Sequence, residues 1–309
     1  MSFVYNDKAW QIVEYKNLYY IELYTRSIRV YNQSFDQILK RDNPQYYYAQ
    51  ILVVEDTLFA MGKDTTFIDV LQIPSLELVK RIKWNEERYF VRSESTNMIY
   101  NKQEQLVYSG LYSDKKDTAV LTIIHINEDY REEVVWQSEH TYLLQILYSK
   151  RKKDYLLCYR KIYEENRREV FWEELAWLRS GKMFMRYEME QDQDFWDYAF
   201  DRKEKIWFRG CFAPAWKSYL VKLEDSRKMD SFRKLTEIND LLAFSEDGKR
   251  CAYVIPGKTS KVYIYSLEKE ACEREITLKD SELSWCEIQF IGNRYIAVRG
   301  CDYMFWYEI

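Results

Sequence analysis

Glycine and proline are scarce in this chain, with 8 and 4 copies among 309 residues, against ordinary usages near 7% and 5%. Glycine-rich phosphate loops are therefore not expected, and the turns must be made by Asn, Asp, Ser and Lys. Histidine is scarcer still: His125 and His140 are the whole complement, too few for a histidine-rich metal centre. No GxSxG, HExxH, P-loop or GxGxxG pattern is present. The six cysteines (Cys158, Cys211, Cys251, Cys272, Cys286 and Cys301) show no CxxC spacing, which argues against a zinc site. No apolar run approaches the ~20 residues a membrane helix needs. The opening residues, MSFVYNDKAW, lack the basic flank and apolar core of a signal peptide. These absences together predict a cytoplasmic protein with free thiols, no metal, no cofactor and no membrane partner.

One-sided charge is missing too. With 46 basic and 50 acidic residues, the net charge is -4, so nothing draws the chain globally to nucleic acid. Local basic runs at Lys150–Lys153 and Arg167–Arg168 are diluted by Glu164, Glu165 and Glu169 and read as solvated loops. Aromatics are what the chain has in abundance: 28 Tyr, 15 Phe and 10 Trp. Such side chains suit a pleated, half-buried surface, so strands are expected.

The main signal is a repeat. A polar turn followed by an aromatic and aliphatic strand recurs as KNLYYIELY, DTLFAMG, EQLVYSG, KDYLLCY, EKIWFRG, GKRCAYVI and NRYIAVRG. The first apolar residues after these turns are Leu18, Leu58, Leu106, Tyr155, Ile206, Cys251 and Tyr295, separated by 40, 48, 49, 51, 45 and 44 residues. That period is the size of one four-stranded propeller blade. A further strand follows each anchor, among them SIRVY (27–31), AVLTIIHI (119–126) and KVYIYSL (261–267). The expectation is an all-β, seven-bladed β-propeller of four-stranded antiparallel blades, one domain over residues 1–309. Residues 2–5 are expected to add the outer strand to the last blade, which removes an exposed edge. The helical spacing of Phe171, Leu175 and Leu178 is outweighed by the repeat and by the SGK turn at 180–182, so a strand is predicted there. Residues 225–236 are read as a short helix between blades five and six.

The clearest copy, LLAFSEDGKRCAYVIPGKTSKVYIYSLEKEACEREITL (241–278), resembles a blade of the YVTN-like and tryptophan–aspartate (WD) repeat propellers. It departs from the WD pattern in ending its third strand with Tyr265-Ser266. The one Trp-Asp pair, Trp196-Asp197, lies elsewhere, and no Gly-His pair precedes the blades.

Fold does not dictate function, so candidate sites are judged singly. Glu14, Asp56, Glu173, Asp201 and Glu287 are the carboxylates considered for a catalytic or calcium-binding channel. Cys158, Cys251 and Cys286 fall in strands and read as buried apolar groups. The loop GCFAPAWK (210–217) places Phe212 and Trp216 where large apolar groups are expensive to expose, and Trp84 stands in a second connection. Phe212, Trp216 and Trp84 are the predicted partner-binding residues. The expected function is a monomeric, non-catalytic platform for a protein or peptide. The alternative is a propeller hydrolase or lyase using channel carboxylates or a divalent metal.

Overall fold

The computed structural model describes residues 3–5, 9–23, 27–34, 36–43, 48–62, 67–83, 98–113, 117–165, 168–189, 193–212, 217–223, 232–238, 242–255, 261–278, 287–299 and 304–309. Twenty-eight strands account for nearly all of them, with one short helical turn at Ile126–Glu128.

After β1 (Phe3–Tyr5), the strands fall in consecutive fours. The first sheet is β2 (Ala9–Tyr15), β3 (Leu18–Leu23), β4 (Ser27–Tyr31) and β5 (Gln37–Asp42). The second is β6 (Tyr48–Val54), β7 (Thr57–Gly62), β8 (Phe67–Gln72) and β9 (Leu78–Lys83). The third is β10 (Met98–Asn101), β11 (Leu106–Ser113), β12 (Thr118–His125) and β13 (Arg131–Ser138). The fourth is β14 (Thr141–Ser149), β15 (Asp154–Glu165), β16 (Arg168–Trp177) and β17 (Met183–Glu188). The fifth is β18 (Asp194–Phe200), β19 (Ile206–Phe212), β20 (Lys217–Leu223) and β21 (Phe232–Ile238). The sixth is β22 (Leu242–Phe244), β23 (Arg250–Ile255), β24 (Lys261–Ser266) and β25 (Ala271–Thr277). The seventh is β26 (Glu287–Ile291), β27 (Tyr295–Arg299) and β28 (Met304–Glu308), completed by β1.

The chain is thus an all-β, seven-bladed propeller. Its seven anchor turns lie between the first and second strands of the seven sheets, as the repeat predicts. β1 pairs antiparallel with β28, Phe3 opposite Trp306 and Tyr5 opposite Met304, so the two ends of the sequence share one blade. Contacts divide the chain into two compact units. One holds Met1–Lys8, Leu147–Leu156 and Val170–Ile309; the other holds Ala9–Ile146 and Leu157–Glu169.

Burial explains the composition. Third strands such as β8 and β12 are buried along nearly their whole length, because a central strand with packed faces on both sides needs a continuous apolar run. Fourth strands are edges, and β5 and β25 are mostly exposed. One cluster joins Phe59, Ile68 and Val70 of the second sheet to Val107, Val120 and Ile124 of the third. Another joins Val254, Val262 and Ile264 of the sixth to Ile296 and Val298 of the seventh. Each thin sheet hides its apolar side only against a neighbour.

The predicted strand within 165–180 is β16, and Gly181 supplies the left-handed turn after it at φ 62°. The short helix read into 225–236 is corrected in part: residues 232–236 belong to β21, whose pairing with β20 takes up their backbone groups. The rest of that segment lies outside the described residues.

Candidate functional site

Of the three predicted partner-binding residues, Trp84 and Trp216 lie outside the described residues. Phe212 does not stand in a loop. It is the last residue of β19 and only 6% exposed. Its ring packs 5.5 Å from Phe195 and 6.1 Å from Tyr219, and the Lys234 ammonium lies 3.5 Å from its centroid. A Cβ at Gly210 would meet that ring at 2.7 Å, which accounts for a glycine inside a strand. The apolar ring is covered because leaving it in water would cost about 1.5–3 kcal/mol.

The candidate carboxylates have separate settings. Glu14 is exposed on β2. Asp56 sits in the β6–β7 turn, where Lys16 pairs with it at 2.6 Å and holds its carboxyl below the ordinary value. Glu173 is fully buried on β16 and accepts a 2.6 Å hydrogen bond from Tyr198. Asp201 lies in the β18–β19 turn, and the Glu287 side chain is outside the described residues. Among the described residues, no three His, Cys, Asp or Glu side chains gather as a metal site. His125 meets Glu133 at 3.1 Å and Glu128 at 3.5 Å, while His140 turns the chain at φ 51°. Cys158 and Cys251 are buried, as expected, and burial pushes the Cys251 thiol well above its ordinary value. Cys286 lies outside the described residues.

The turns between first and second strands are built alike. Each holds a left-handed residue: Asn17, Glu55, Gln105, Lys153, Glu204, Gly248 and Gly292. Only two of the seven are glycine, which fits the scarcity of that residue. Successive turns are also stapled to one another. Gln105 donates to Glu55 at 3.2 Å, Ser149 to Glu204 at 2.6 Å, and the Arg250 guanidinium to the Asn293 carbonyl at 3.0 Å.

Another of these junctions joins the fifth and sixth sheets. In the turn 201–205, Asp201 accepts from the Lys203 and Lys205 amides at 2.8 and 2.9 Å, and from the Trp207 indole at 3.1 Å. In the facing turn, Ser245 and the Lys249 amide donate to Asp247 at 2.8 and 3.1 Å. Burial pushes the Asp247 carboxyl up, but these bonds outweigh it and leave it below the ordinary value. The Arg202 amide donates to the Gly248 carbonyl at 3.2 Å. A Cβ at Gly248 would lie 2.8 Å from the Phe200 carbonyl oxygen, at a backbone φ of 64°. Behind both turns, the buried Lys222 pairs with Glu270, which also takes Arg233 at 3.1 Å. The Lys222 hydrogen bond holds the Glu270 carboxyl below its ordinary value.

Between these walls lies a cleft of about 70 Å³ floored by the buried Leu267. Five cations line it (Arg202, Lys203, Lys205, Lys222 and Lys249) against three carboxylates. Of the lining, only Asp201 was singled out from the sequence; none of the five cations was. The run DRKEK at 201–205 was the available signal, but only the folded chain sets it against a turn some 45 residues away.

A second feature is Asp197. It sits at a bulge of β18 with φ 54° and pairs with Arg209 at 3.0 Å. Its side chain keeps 42% of its surface accessible. Enclosure by the surrounding protein pushes its carboxyl up, and Arg209 opposes this. The Trp-Asp pair noted in the sequence is therefore a bulge within a first strand, with the Arg209 guanidinium 4.8 Å from the Trp196 ring.

No family model matches the chain, and no curated protein matches it. Solved structures do match. The β-propeller domain of Myceliophteria thermophila Cps50 (Swd1) superposes with a TM-score of 0.65 at 9% identity, covering 100% of both chains. KlHsv2 with loop 6CD replaced by a Gly-Ser linker gives 0.55 at 12% identity, over 94% of this chain and 89% of that one. The WD40 domain of SCAP from fission yeast gives 0.53 at 10% identity, over 99% and 96%. At such identities the shared property is the fold.

Proposed function

We propose that this divergent, WD-repeat-like seven-bladed β-propeller is a non-catalytic platform for a protein or peptide partner. The supporting observation is the cleft between the fifth and sixth sheets. Pockets that enclose a small molecule run to roughly 300–1,000 Å³, whereas this one measures about 70 Å³. It has room for one protruding group of a larger partner. Its walls are turns already locked by hydrogen bonds, so little ordering is lost on binding. Trp84 and Trp216 are each proposed as partner contacts on the sequence alone, since indoles are common anchors of interfaces. Phe212, being buried, is not offered as a contact.

A pulldown with the tagged chain tests the reading. A partner recovered by the wild type should be lost in Trp84→Ala/Trp216→Ala while thermal unfolding is unchanged. Recovery equal to wild type removes the tryptophans from the proposal. Asp197 supports a second reading, a hydrolase or lyase with an arginine-paired acid on a bulge. A screen of lactones, sugars and phosphoesters with and without divalent metal, in which Asp197→Asn abolishes a turnover, would establish it instead.

A further inference from the structure

We infer that the cleft between the fifth and sixth sheets recognises an anionic side-chain tip, carboxylate or phosphate, on a peptide partner. This rests on the platform reading above and names the chemistry of its contact.

The charges around the cleft can be taken one by one. Glu270 is committed to Lys222 and Arg233. Asp201 has both oxygens occupied by backbone amides and an indole of its own sheet. Lys249 pairs with Asp247 at 3.2 Å. What remains is Arg202, Lys203 and Lys205, all exposed and all within one five-residue turn. Among the described residues, the side chains of Arg202 and Lys203 have no hydrogen-bond or ion-pair partner, and Lys205 acts on Glu270 only through space. Glu268, the last carboxylate of the lining, is exposed and acts on Lys269.

The acids of the same turn are engaged elsewhere, Asp201 as above and Glu204 by Ser149 at 2.6 Å and the Arg151 amide at 2.7 Å, and the turn is fixed from below by Asp201 and from the side by Gly248. The cations therefore stay grouped whether or not an anion is present. Such pre-grouping favours a carboxylate or phosphate, which an arginine can hold through two parallel hydrogen bonds. Exposed charges bind a free anion weakly. A peptide is favoured because its flanking residues add contacts along the cleft mouth, while the tip supplies the selectivity.

The test uses the purified chain and fluorescein-labelled peptide pools with randomised flanks and a fixed central residue: phosphoserine, glutamate or serine. Fluorescence anisotropy should show the phosphoserine or glutamate pool binding at least about tenfold more tightly than the serine pool. Whichever of the two is tighter identifies the tip. Arg202→Gln/Lys203→Gln/Lys205→Gln should abolish the preference with an unchanged melting temperature, since its side chains are exposed. Raising the salt should erode the preference in the wild type. Equal binding of all three pools, no binding of any, or a preference that survives in the triple variant overturns the inference. So does sedimentation with anionic phospholipid vesicles in the absence of peptide preference. If the triple variant still recovers the pulldown partner while no pool is preferred, the anion site fails and the platform reading stands.

Discussion

The fifth sheet ends in two opposite ways. At the end of β19, an aromatic residue has been drawn under cover: Phe212 lies beneath Lys234 and against Phe195 and Tyr219. Where β18 runs into β19, a basic turn keeps Arg202, Lys203 and Lys205 in water above a hydrogen-bonded base. The difference is physical. Carbon near a turn is covered whenever neighbouring strands can reach it, so an aromatic in loop-like sequence is weak grounds for expecting an exposed anchor. Ammonium and guanidinium groups stay outside unless each finds a partner, so a basic turn does report surface.

Phe212→Ala is the most severe way to break this comparison. A buried ring removed from a packed site should lower the unfolding free energy by about 3–5 kcal/mol, read from urea denaturation. A loss under about 0.5 kcal/mol would mean that the ring stands free. Gly248→Ala attacks the other end. A non-glycine residue held left-handed costs about 1–3 kcal/mol, and the new Cβ would press on the Phe200 carbonyl. The same change should weaken binding of the preferred peptide pool, because the Gly248 carbonyl accepts from the Arg202 amide.

Much of the fold was legible in the sequence, and the reason is burial. Second and third strands packed on both faces must be apolar throughout, so Leu58, Leu106 and Ile206 announce their strands at a regular spacing. The closing strand was readable from the incomplete last repeat. The turns were less so. Left-handed positions filled by Glu55, Gln105, Lys153 and Glu204 carry no glycine to mark them, and their geometry is imposed by the strands they join. Glu173 was considered for a channel, but it is fully buried and Tyr198 of the next sheet donates to it in the interior. The cleft was not readable at all, since its walls come from turns of two different sheets. Local pattern gives each turn, and only packing sets them face to face.

Glu132, on the edge strand β13, sharpens the comparison from between its two ends: it is a charge neither fully covered nor fully free. Burial pushes its carboxyl up to about 7, with Lys80 opposing, and the Lys80 ammonium is already engaged by Asp129 at 2.9 Å. A carboxyl raised on folding binds its proton more tightly in the folded chain than in the unfolded one. Stability is therefore greatest below the unfolded value near 4.5, falls as pH rises from there, and levels off above about 7. The half-exposed position screens the effect, which brings it to about 1 kcal/mol. Glu132→Gln should match wild type in denaturant at pH 4.5 and exceed it by about that amount at pH 8. Equal stability at both values would show that water reaches this carboxylate as freely as it reaches Arg202 and Lys203, and the intermediate case would join the exposed end.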